Sequence, residues 1–276
     1  MSDEKGFGKT AIVLMVLAIL GVATITADVK AAGQAPVNLG AAASFGVLAA
    51  TTVTSTGATA VTGDLGLSPG TSVVGFPPTG PGTLTGTQHI NDTVAAQAQA
   101  DLTVAYNDLA GRTGGAAVSG NIGGQTLTPG LYKSTSSLEI SSGDLTLDAQ
   151  GNASAIFIFQ IASTLTTSTG LGVVLTGGAD FRNVFWQVGS SATIGTGSHF
   201  KGTILAHTSI TLNTGAALDG RALAQTGAVT LDTNPIVVPE FPTILILPLF
   251  MIATLLALFV CKKRNLGYTK RLRMLS

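Results

Sequence analysis

Three threonines, Thr193, Thr211 and Thr230, stand in near-copies of one segment: Ser191-Ala-Thr-Ile-Gly-Thr-Gly197, Ser209-Ile-Thr-Leu-Asn-Thr-Gly215 and Ala228-Val-Thr-Leu-Asp-Thr-Asn234, at steps of 18 and 19 residues. Their chemistry is not bond-making. An outward threonine presents a methyl and a hydroxyl together, and its β-branch restricts χ1, so a row of them is nearly ordered before it meets anything and loses little entropy on binding. High β-propensity alone explains any single threonine on a strand; it does not explain the repeated set. Other chemistry is sparse. His89, His199 and His207 are too dispersed for a metal motif. No Gly-x-Ser-x-Gly elbow, His-Glu-x-x-His or phosphate loop occurs. Asp144, Asp148, Asp180, Asp219 and Asp232 are single acids near glycine-rich turns, where turn formation suffices. Trp186 lies in the most apolar strand and is expected in the core. No catalytic residue, metal ligand or cofactor is expected.

The elements that must position the threonines follow from the spacing. A step of 18 or 19 residues suits one turn of a stacked β-solenoid. Neighbours on a strand face opposite sides, so Ile194, Leu212 and Leu231 point inward and the threonines outward, in a ladder with roughly 4.7 Å between turns. Thr166, in Thr164-Leu-Thr-Thr-Ser-Thr-Gly170, is expected one step below. Residues three apart on a straight strand face opposite sides, so Thr196, Thr214 and Thr233 are expected on a corner. From Val37 to about Gly86 the chain alternates short β-prone pieces with Gly and Pro turns. Then Asn91-Asp92 offers an N-cap, and Val94, Ala98, Leu102, Ala105 and Leu109 form an apolar stripe, which predicts a helix over about 91–111 along the solenoid wall. After Gly123 the strands return as near-continuous apolar runs, as expected for strands buried on more than one side.

Composition agrees: 276 residues with 35 glycines and 10% charged residues. The net charge of zero hides a segregation, because only Arg112, Lys133, Arg182, Lys201 and Arg221 among the cations lie between residues 33 and 238, against ten acids there. That body offers no basic surface for nucleic acid. Lys5 and Lys9 precede an apolar run from Thr10 to Ala27, and small residues follow, which reads as a signal peptide over 1–31 cleaved after Ala27 or Ala31. Phe241 to Val260 is apolar and long enough to span a bilayer as a transmembrane helix (241–260), with Cys261-Lys-Lys-Arg264 marking its cytoplasmic side. The body, 36–238, is then outside the cell, and with no cysteine of its own it has no disulfide. Pro239-Glu240-Phe241, a hydrophobic helix and a basic cluster together resemble the PEF-type C-terminal sorting signal of archaeal surface proteins. The resemblance implies recognition of residues 239–276 by a membrane transpeptidase, an archaeosortase. A plain single-span anchor with a proline-rich stalk is the alternative.

The body resembles the microbial ice-binding (antifreeze) family through Asn38-Leu-Gly-Ala-Ala-Ala-Ser-Phe-Gly-Val-Leu48, Thr62-Gly-Asp-Leu-Gly-Leu-Ser-Pro-Gly70, the Ala95–Thr103 helix segment, Gly130-Leu-Tyr132, Ala155-Ile-Phe-Ile-Phe-Gln160 and Val184-Phe-Trp-Gln-Val-Gly-Ser-Ser-Ala-Thr193. The resemblance implies a mainly β fold, a right-handed discontinuous β-helix of triangular section with one long α-helix alongside. It also implies a surface whose methyls and hydroxyls hold water in positions that merge with ice. The family's Thr-(Ala/Gly)-x-(Thr/Asn) motif is intact at Thr56-Gly-Ala-Thr59, and incomplete at Thr196-Gly-Ser-His199 and Thr214-Gly-Ala-Ala217. The expected ice-binding set is therefore Thr193, Thr211, Thr230, Thr166, Ser209, Thr56, Thr59, Thr196 and Thr214, on a cell-surface protein whose partner is the ice crystal. A surface adhesin or envelope protein using the same solenoid is the second reading. A carbohydrate-active enzyme is the third.

Overall fold

The computed structural model describes residues 33–238. The expected signal segment and the C-terminal span, with Pro239, Glu240 and Phe241, lie outside the described residues. Among the described residues no helix is long and apolar enough to cross a membrane.

Apolar residues alternating with threonine fold as the period-2 pattern dictates. In Ala192–Ile194, Ile210–Leu212 and Val229–Asp232 the aliphatic positions are buried and the threonine between them faces out. Ile194, Leu212 and Leu231 are 0%, 1% and 0% exposed, and Ile194 sits directly opposite Leu212. The strands pair in parallel and form sheets of 12, 8 and 3 strands. The stacking is discontinuous in sequence: the early strand Thr52–Thr56 lies on the last full coil, Val229–Asp232, with Thr54 opposite Thr230. That long-range pairing closes the stack without any disulfide.

The 12-stranded sheet covers more than one side. His199–Ala206 and Ala217–Ala224 begin on an exposed face and end beneath the helix. They pass between the two at Gly202 and Gly220, which are directly opposite each other with φ of +108° and +149°. A Cβ on Gly220 would lie 1.9 Å from the Gly202 carbonyl oxygen, so only glycine fits this crossing. Inside the coils Tyr132, Phe159, Trp186 and Phe200 stack one above another, the Phe159 and Trp186 rings 4.0 Å apart. The Trp186 indole N–H donates to the Lys201 carbonyl at 2.9 Å, which satisfies its one polar atom in the core.

The helix runs over Thr93–Gly111, with Asp92 as N-cap accepting from the Ala95 N–H at 2.8 Å. Its buried stripe is Ala95, Ala98, Leu102, Ala105 and Leu109, at alternating steps of three and four. Val94, expected in that stripe, is 43% exposed. Val94 and Ala95, four and three residues before Ala98, flank the stripe on opposite sides, and it is Ala95 that is buried. The helix covers Leu48, Leu131, Ile158, Phe185, Leu205 and Leu223 on the sheet's outer side, which explains strands apolar on both sides. At its C-terminal end the Gln160 amide donates to the carbonyls of Leu109 (2.6 Å) and Arg112 (2.8 Å), supplying partners that a helix end lacks. The incoming chain is held to the helix by Asp101, which accepts from the Ala41 N–H at 2.7 Å, and by Arg112, which donates to the Ala35 carbonyl at 2.6 Å. Arg221 donates to the Ala43 carbonyl, and its burial lowers the guanidinium to about 10.

Candidate functional site

The 8-stranded sheet stacks Ser72–Val74, Thr52–Thr56, Val229–Asp232, Ile210–Leu212, Ala192–Ile194, Leu165–Thr167, Leu138–Ile140 and Gly120–Asn121. Its central outward row reads, in register, Val74, Thr54, Thr230, Thr211, Thr193, Thr166, Glu139, Asn121. Five consecutive threonines therefore stand side by side, a row of roughly 19 Å at the usual strand separation. Thr230 is exposed and the other four are half-buried by their neighbours. The row begins after Glu139 and ends at Val74, 51% exposed. Among the strands of this sheet only Glu139 and Asp232 carry charge.

Sequence reasoning brought Thr193, Thr211, Thr230 and Thr166 together, and they are adjacent in register. It missed Thr54. The available signal was Val53-Thr-Ser55, which repeats the pattern of Val229-Thr-Leu231 far away in the chain.

A second outward row follows at the sheet's corner. Successive backbone bonds, Gly197 N to Thr214 O, Gly215 N to Asp232 O and Thr233 N to Thr56 O, bring Thr196, Thr214, Asp232 and Thr56 level with one another. The chain turns there through left-handed residues: Gly197 at φ +64°, Gly215 at +68° and Gly57 at +73°. Thr233 was expected level with Thr196 and Thr214. The corner after Thr230 is one residue shorter, so Asp232 takes that level and Thr233 occupies the left-handed position at φ +56°. Asp232 accepts from the Thr214 hydroxyl at 2.5 Å and from the Thr233 hydroxyl at 3.2 Å. The hydroxyls of Thr214 and Thr56 hold its carboxyl below the usual carboxylate range.

Two further residues of the expected set have other employment. Thr59 is 0% exposed, so its expected place on the surface is corrected: the turn through Gly57 and Ala58 carries the chain round the corner and points residue 59 inward. Its hydroxyl oxygen accepts from the Ser55 hydroxyl at 2.7 Å and from the Asn234 N–H at 3.1 Å. Asn234 and Ser198 are likewise 0% exposed and hydrogen-bonded, a buried polar lining of the same corner. Ser209 is half-buried at the sheet's opposite edge, where its oxygen accepts from the Ala228 N–H at 3.2 Å and links one coil to the next.

Among the described residues no group of three His, Cys, Asp or Glu side chains could hold a metal ion. What the surface offers is ordered hydroxyls and methyls at a fixed repeat.

The family model described as ice-binding-like matches residues 47–237. An ice-binding protein of Nostoc sp. (strain HG1) is 50% identical over 224 residues, covering 80% of this chain and 81% of its own length. One from Flavobacterium frigoris (strain PS1) is 38% identical over 221 residues, 74% of this chain and 77% of that protein. Among solved structures, an ice-binding protein from an Antarctic biological consortium superposes with a TM-score of 0.73 at 60% identity, covering 75% of this chain and 93% of the other. An ice-binding protein with antifreeze activity from an Arctic yeast superposes at 0.69 with 36% identity, covering 75% and 95%.

Proposed function

This chain belongs to the ice-binding-like family, and from that premise we propose that it adsorbs to ice through the row Thr54, Thr230, Thr211, Thr193 and Thr166, with Thr196, Thr214 and Thr56 at the corner. The observation that carries the reading is five threonines in register with no charge inside the row. Each side chain has little rotamer freedom to lose. Each methyl limits how water can approach, while each hydroxyl holds one water, so the row favours a water layer with the repeat of the strands. The activity is adsorption, without catalysis or cofactor. The test is whether the fluorescently labelled protein concentrates on a growing ice crystal; a folded protein left in the liquid would hand the surface to the adhesin reading.

The same proposal includes a right-handed solenoid of triangular section with domain bounds 36–238, and display at the cell surface: a leader over 1–31 exports the body, and 239–276 anchors it, with Pro239, Glu240 and Phe241 read by a sortase-type enzyme of the membrane. Support comes from the exit point. Val238, 5% exposed, packs near Gly46 and Gly63, just after Pro235–Val237, a strand of the 12-stranded sheet. A tether leaving there keeps the threonine row free. Protease added to intact cells should remove the body, and deletion of 239–276 should release it to the medium; a deleted form still held on cells would refute the anchor.

A further inference from the structure

The corner row is Thr196, Thr214, Asp232, Thr56. We infer that Asp232 is a specificity-determining residue of the threonine surface: its carboxylate breaks the corner row and confines ordered water to the strand row beside it. This rests on the ice-adsorption reading above. Asp232 is directly opposite Thr56 and level with Thr214, so it occupies a place in which its neighbours are threonines. The Thr214 and Thr233 hydroxyls donate to it, and a hydroxyl has one proton. Those two groups therefore meet surface water only as acceptors, whereas Thr211 and Thr193 in the adjoining row have no side-chain partner among the bonds of the described residues and meet it as both. The carboxylate also gathers its own tightly held waters, whose arrangement does not follow the strand repeat. Ordered water can then extend along Thr54 to Thr166, but over the corner it is interrupted between Thr214 and Thr56.

The same carboxylate has one competing explanation. It braces a corner one residue shorter than those after Thr193 and Thr211, in which Thr233 holds a left-handed φ of +56°, a conformation unusual for a β-branched residue. The two explanations separate under substitution. Asp232→Asn keeps an acceptor oxygen and removes the charge; Asp232→Thr restores the residue type of the row. Each is compared with the full-length parent for the ratio of ice-bound to free protein, for crystal shape and for midpoint of thermal unfolding. The inference predicts a gain of about fivefold in the bound ratio for Asp232→Thr, the scale of one recovered hydrogen bond of about 1 kcal/mol, a smaller gain for Asp232→Asn, and growth-inhibited crystal faces that differ from the parent's. A lowered midpoint with no gain in either variant would overturn it and leave Asp232 as a brace. Unchanged midpoint and unchanged binding would overturn it as well. If the parent and both variants are folded and none binds ice, the ice reading itself fails and takes this inference with it, an outcome distinct from a binding parent whose variants do not improve.

Discussion

Two faces of this protein are built from the same three coils. On the 8-stranded sheet the coils present Thr230, Thr211 and Thr193; a few residues later, on the next face, the same coils present Val237, Asp219 and Lys201 in register. One row repeats a single residue, and the other places an apolar, an acidic and a basic side chain in succession, the last two joined as an ion pair. Both rows flank buried apolar positions, Ile194, Leu212 and Leu231 beside the one and Phe200, Leu218 and Ile236 beside the other. The coil therefore accepts an acidic and a basic residue, both poor strand formers, at outward positions as well as threonine. Repetition of threonine on one face alone is a property of the surface, not a requirement of the fold.

The comparison breaks most completely if the shared core fails. Trp186→Ala removes the largest member of the aromatic stack from a fully buried site, and should destabilise by about 3–5 kcal/mol. Urea unfolding should show that loss, and ice adsorption should disappear only when the fold does. A smaller effect is expected from Gln160→Ala. It leaves the Leu109 and Arg112 carbonyls without their side-chain donor, at a cost of about 1–3 kcal/mol. Amide exchange should quicken in the last turn of the helix, while adsorption stays as in the parent, because the helix covers neither of the two faces being compared.

The smallest effect is electrostatic. The Arg182 side chain is the main reason the Asp180 carboxyl lies below its ordinary range. A depressed folded value means that the unfolded state binds the proton first as pH falls. The pair's contribution is thus present above the unfolded carboxyl value and is lost as pH drops through the folded one. With Arg182 about half exposed, it amounts to a few tenths of a kcal/mol. Asp180→Asn should flatten the acid limb of the stability profile slightly and leave both faces unchanged.

Much of this was legible from sequence, for local reasons. Thr193, Thr211 and Thr230 lie in consecutive coils, so a short period exposes them, and their inward neighbours follow from strand alternation. Thr54 was not legible as a member of the row, because its partner Thr230 is far along the chain and only the discontinuous stacking brings them together. Thr59 was misplaced for the opposite reason. A four-residue motif suggests one surface, yet two of its residues are consumed by a corner, and the fourth is rotated into the core. Val94 differed by a single position, since steps of three and of four before Ala98 both fit the stripe and spacing alone does not choose between them. Asp232 could not be distinguished from other turn acids until the shorter corner set it level with Thr214 and Thr56.

The central claim is that the threonine row, and not the mixed row of the same coils, meets ice. It is tested most directly by placing one lysine on each: Thr211→Lys and Val237→Lys, both exposed or half-buried strand positions, with stability changes expected within about 0.5 kcal/mol. Ice adsorption and freezing hysteresis are measured for both against the parent, with circular dichroism to verify folding. The account predicts that Thr211→Lys loses most of the adsorption and Val237→Lys retains it; equal adsorption by the two folded variants would contradict it.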